Sequence, residues 1–174
     1  MQDWRLSKLR NDQENGKLGV SFNLDLLEEN TMTRSEKAQA NMVESKMNCA
    51  QSVITAFCED LGLDQATALK LSRGFGGGMG RTGKTCGAVS GACMVLGLRE
   101  PKAAREGVES VYAHIQEFNR KFVEMHGSTE CTALLGCDLS TPGGLAKARG
   151  DGLFTKVCPN LVRDAVELLE RISQ

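Results

Sequence analysis

No Cys-x-x-Cys pair occurs in this chain, although it carries seven cysteines. That absence removes the tight spacing of zinc ribbons and dithiol oxidoreductases, and without Cys-x-x-Cys-His no covalent haem is implied. Aromatic residues make up only 5%, prolines number three and histidines two. Charge of one sign is also missing. A net charge of -1 gives none of the basic footprint that nucleic acid requires, so no nucleic-acid partner is expected. No run reaches the roughly 18 apolar residues of a membrane span. The segment from Met1 to Gly19 is polar, without the apolar core of a secretory leader, and a cytoplasmic location is expected. In that reducing setting, an odd number of cysteines argues against a disulfide framework and for metal binding or redox chemistry.

Strand signals are almost absent too, and what remains is helical spacing. The pattern predicts a single all-α domain over residues 33–174, preceded by an N-terminal extension, residues 1–32, that contains the only tryptophan. A weak amphipathic segment lies around Phe22, Leu24, Leu26 and Leu27. Helices are predicted near Thr33–Ser45, Asn48–Leu61 and Asp64–Arg73, with Gly62 as a stop. A glycine-rich loop, Gly74–Lys84, leads into a helix over Thr85–Leu98. Pro101 is expected to open the longest helix, whose stripe Val108, Val111, Tyr112, Ile115, Phe118, Phe122 and Met125 runs until Gly127. Shorter helices follow over Thr129–Leu135 and from Pro142 to Arg149, and a last one over Pro159–Ser173.

Four cysteines fall where these helices begin. Asn48 caps the helix of Cys49, Thr85 that of Cys86, Ser128 that of Cys131, and Cys158 stands before Pro159, a residue suited to the first helical position. A helix start offers unpaired N–H groups and the positive end of the peptide dipole, which favour thiolate over thiol. Cys58 and Cys93 fall within predicted helices and Cys137 after a helix end, so these three read as small apolar residues.

Gly78-Met79-Gly80-Arg81-Thr82-Gly83-Lys84-Thr85 matches the phosphate-loop pattern G-x-x-x-x-G-K-[ST]. That mechanism needs a buried strand entering the loop and a parallel sheet, whereas Ala66–Arg73 reads as helix; nucleotide binding is not expected. In the next helix Gly87 and Gly91, beside Ala88 and Ala92, form a face nearly bare of side chains. Another helix is expected to pack there at short range.

Asn48-Cys49-Ala50-Gln51, the loop Gly74-Phe75-Gly76-Gly77-Gly78-Met79-Gly80, the motif Cys86-Gly87-Ala88-Val89-Ser90-Gly91, Cys131 with Leu134-Leu135-Gly136, and Cys158 together resemble a family of redox-active proteins (C_GCAxxG_C_C) with a C, CGAxxG, C, C pattern. The resemblance runs from about Met32 to the C-terminus. It maps the four characteristic cysteines onto Cys49, Cys86, Cys131 and Cys158, leaving Cys58, Cys93 and Cys137 as additions. The helical domain is also similar to the non-haem part of split-Soret cytochromes, dimeric proteins, which implies an iron–sulfur site. With the bare Gly87/Gly91 face, this leads to the expectation of a homodimer and of a redox partner protein.

Were the four helix starts to converge, several kcal/mol of burial cost per thiolate would face only roughly 0.3–2 kcal/mol returned by a helix terminus. Three chemistries could hold such a set: an iron–sulfur cluster on Cys49, Cys86, Cys131 and Cys158, serving electron transfer or redox sensing; a structural Cys₄ zinc; or a metal-free thiol–disulfide couple using Cys49 and Cys86. Only the last makes the protein an enzyme. His114 and His126 are not expected to join the site.

Overall fold

In a computed structural model of the chain, the residues described are 32–102 and 105–172. The N-terminal extension, with Trp4 and the Phe22–Leu27 segment, lies outside them. The described residues are helical, with one isolated antiparallel bridge, Thr85 to Glu130, in place of any strand. The all-α expectation holds. No helix among them is long and apolar enough to cross a membrane.

Local chemistry sets the first three helices. Helix α1, Arg34–Val43, starts with a capping box: the Thr33 hydroxyl accepts from the Glu36 N–H, and the Glu36 carboxylate accepts from the Thr33 N–H at 2.8 Å. Helix α2, Cys49–Thr55, repeats the device with Asn48 and Gln51, each accepting a 3.0 Å bond from the other's N–H. It ends earlier than its apolar run suggests, because the chain turns from Ala56 to Gly62, whose φ is +68°. Cys58 therefore sits in a turn and not in a helix, where its thiol donates to the Thr55 carbonyl. Helix α3, Gln65–Ser72, is capped by Asp64.

Helix α4, Gly87–Arg99, crosses α2 at close range. A Cβ on Gly87 would lie 2.9 Å from the Cys49 Cβ and 3.0 Å from the Ala50 nitrogen; one on Gly91 would lie 3.0 Å from the Ala50 oxygen. The bare face is thus covered within the chain, and no longer argues for a dimer. Helix α5 is Val108–His126, with Gly107 and not Pro101 at its start. Glu100 explains the shift: its carboxylate accepts from the Lys102 N–H at 3.1 Å and its side chain lies over Gly107, fixing a turn where Pro101 alone would allow a helix. Of the stripe on α5, only Phe118 and Phe122 are fully buried, while Tyr112 and Met125 are exposed.

Helices α6, Cys131–Leu135, α7, Pro142–Gly150, and α8, Leu153–Lys156, lead to α9, Cys158–Ile172. Helix α9 packs on α1, α2, α4 and α5, and its Val162, Val166 and Leu169 meet Val53, Ile54, Val89 and Val95 in the core. Each such side chain contributes about 1.5–3 kcal/mol on burial, so α9 is the piece that closes the domain.

Candidate functional site: four buried thiols

The N-termini of α2, α6 and α9 start on Cys49, Cys131 and Cys158, while Cys86 is itself the cap residue of α4. All four are buried, between 2 and 7% exposed, and carry no disulfide. Each is delivered by a specific piece of backbone. The antiparallel Thr85–Glu130 bridge fixes Cys86 and Cys131 at its two ends; the Cys86 N–H donates to the Thr129 carbonyl at 2.8 Å and the Cys131 N–H to the Lys84 carbonyl at 2.7 Å. Gly87 lets the start of α2 press Cys49 against α4. Asn48 holds that start to the glycine loop, donating from Nδ2 to the Arg73 carbonyl at 3.0 Å.

The glycine loop itself is the largest departure from expectation. Gly77, Gly78, Met79, Gly80 and Arg81 all have φ between +62° and +68°, and the Gly80 N–H donates to the Gly76 carbonyl at 2.9 Å. This is one turn of left-handed helix. Met79 and Arg81 adopt it at roughly 1–2 kcal/mol each, strain of the kind that concentrates at functional sites. A side chain on Gly78 would put its Cβ 2.6 Å from both the Cys131 Cβ and the Lys84 carbonyl, so this glycine is the floor against which Cys131 rests. The chain enters the turn from α3 through a 3-10 turn, Arg73–Phe75, and no strand feeds it as the phosphate-loop mechanism requires.

Electrostatics ties the four sulfurs together. The Cys49 thiol is pushed well above its usual range, first by donating a hydrogen bond to Cys158, then by burial and by the charges of Cys158, Cys86 and Cys131. Cys158 moves down for the matching reason, the hydrogen bond from Cys49 favouring its charged form. Burial raises Cys86 to about 11, against the pull of the Ala88 and Val89 N–H groups. Burial, then the charges of Cys86, Cys158 and Cys137, raises Cys131 to about 12. Helix starts therefore do not by themselves generate low-pKa thiols here, because burial outweighs them at Cys86 and Cys131 and the hydrogen bond to Cys158 does so at Cys49.

Cys58 and Cys93 are raised by burial without any of the four as a cause, so they belong to other surroundings. Cys137 is different: it is buried and acts on Cys131, a proximity that no local pattern at a helix end reveals. His126 faces Asp164 on α9 at 3.3 Å, and His114 is exposed. Among the described residues, no three His, Cys, Asp or Glu side chains are grouped closely enough to hold a single metal ion.

These features define an all-helical protein with four buried thiols set at helix starts. The chain belongs to the family described as "Putative redox-active protein (C_GCAxxG_C_C)", whose pattern matches residues 47–172. An "Uncharacterized protein" of Archaeoglobus fulgidus is 32% identical over 113 residues, 58% of this chain and 75% of that relative. No solved structure matches the chain.

Proposed function

We infer that Cys49, Cys86, Cys131 and Cys158 together ligate an iron–sulfur cluster, and that the protein transfers electrons or senses redox state through it. The observation that supports this reading is a set of four buried thiols in which the charge of Cys158 acts on each of the other three. Four such groups cannot all ionise unaided, since each buried charge costs several kcal/mol. Thiolate ligation would remove that cost, and a cluster, when bound, supplies a one-electron couple. The N–H groups of Ala88 and Val89 at Cys86 would stabilise charge on that sulfur and so favour the reduced form. A tetrahedral zinc needs sulfurs roughly 3.8 Å apart, given Zn–S bonds of about 2.3 Å. Among the described residues no set that close is found, which favours a multi-atom group over a single ion.

A second reading is favoured by one contact. Cys49 and Cys158 interact through a side-chain hydrogen bond, so a metal-free dithiol would use this pair and not Cys49 with Cys86. Anaerobic purification with a visible spectrum and assays of iron, sulfide and zinc separates the cases. Broad charge-transfer absorption with iron and sulfide is expected, lost in Cys86→Ser and kept in Cys93→Ser. A colourless protein that loses two thiols on mild oxidation would establish the dithiol, and zinc alone a structural site.

A further inference from the structure

Beside the thiol pocket the surface opens into a cleft of about 620 Å³, within the range of small-molecule sites. Cys49, the least buried of the four cysteines, forms part of its wall. Met42, Val43, Met47 and Phe154 supply an apolar side, and Lys46, Arg73 and Arg81 supply three cations. No aspartate or glutamate lines it, and among the described residues neither Arg73 nor Arg81 makes an ion pair, whereas Arg34 and Arg163 each pair with two carboxylates. Lys46 and Arg81 stand in left-handed backbone, at φ of +56° and +68°, where glycine would be cheaper. The fold thus sets unneutralised positive charge around an apolar hollow at considerable local strain.

We propose that this cleft binds a small organic anion, with a carboxylate, sulfonate or phosphate head and an apolar body, against the Cys49 edge of the thiol pocket. The head pairs with Arg73 and Arg81, whose planar guanidinium groups suit such oxyanions. The apolar body lies on Met42, Met47 and Phe154. Binding itself does not depend on what the thiols hold; only its relevance to electron exchange rests on the proposed function.

The probe for the test is anilinonaphthalene sulfonate, compared with its uncharged relative phenylnaphthylamine, on the full chain. Saturable fluorescence enhancement with one sulfonate per chain is expected. Arg73→Ala/Arg81→Ala should weaken the sulfonate by about ten-fold or more while leaving phenylnaphthylamine nearly unchanged. The control Arg120→Ala/Arg149→Ala removes two exposed cations elsewhere and should change neither. Sulfonate affinity of the unaltered protein should fall steeply as salt rises through about 0.1 M, a measurement that needs no variant. Absence of saturable binding, equal loss in the control, or a flat salt response would each overturn the assignment. Iron and sulfide content decides the cluster separately, so either idea can fail alone.

Discussion

Around Phe57, Arg34 and Arg99 stack on one aromatic ring, their guanidinium carbons 4.6 and 4.8 Å from its centre. Asp60 and Glu170 pair with Arg34, and the carbonyls of Ala56 and Leu169 accept from Arg34 and Arg99 at 2.7 and 2.8 Å. Around Cys49, by contrast, Lys46, Arg73 and Arg81 gather with no carboxylate among them. The first group satisfies itself and joins α1, α4 and α9 to the turn after α2. The second leaves its charge facing a hollow. Charge that a fold neutralises internally serves the fold, and charge held unpaired in strained backbone is available to something else.

The largest effect should come from the thiol side. Gly78→Ala would place a side chain in left-handed backbone and drive its Cβ into the Lys84 carbonyl, which cannot move without releasing Cys131. A loss of about 4 kcal/mol is expected, the strain and the overpacking adding. Gly80→Ala, with the same φ of +65° but only a 3.8 Å neighbour, should lose about 1 kcal/mol. Equal losses in urea denaturation would show that strain alone matters there.

Phe57→Ala should cost about 3–4 kcal/mol, the lower part of the usual range because Arg34 and Arg99 can settle into the space. It sharpens the comparison if the visible spectrum and sulfonate binding survive. Coupled loss of both would mean that the two regions are one unit.

Much of this was legible in advance. Caps at Thr33, Asn48 and Asp64 are short-range signals, and they placed α1, α2 and α3 to within a few residues except at the end of α2. The helix starts likewise selected Cys49, Cys86, Cys131 and Cys158, all four of which the fold buries. What stayed hidden is tertiary. The left-handed turn of Gly77–Arg81 includes Met79 and Arg81, whose residue types oppose that conformation, so only the surrounding packing specifies it. The thiol environments also escaped: helix dipoles were visible in the pattern, but burial at Cys86 and Cys131 was not.

That burial makes a pH prediction for the metal-free chain. Cys86 and Cys131 rise from the ordinary thiol value of 9.0 to about 11 and about 12 on folding. A raised folded value means that the unfolded chain loses the proton first. Stability is therefore full below pH 9 and falls as pH climbs toward 11, by roughly 3 kcal/mol from Cys86 alone. Thermal midpoints across pH 7–11 should show the decline, and Cys86→Ser should blunt it. A flat profile would place these thiols in water.

The smallest effect separates strain from purpose. Arg81 occupies left-handed backbone that glycine adopts freely, so Arg81→Gly should be neutral or stabilising by up to about 1 kcal/mol, the gain being limited by the greater freedom of glycine in the unfolded chain. Arg34→Gly, within helix α1 and its ion pairs, should instead destabilise. The decisive reading is a pair of measurements on Arg81→Gly: a denaturation midpoint at or above the parent's together with weaker sulfonate binding. That combination would mean the residue is kept for its charge at the cleft and against the interest of the fold. A lower midpoint would mean that Arg81 packs usefully after all, and the contrast between the two arginine groups would shrink accordingly.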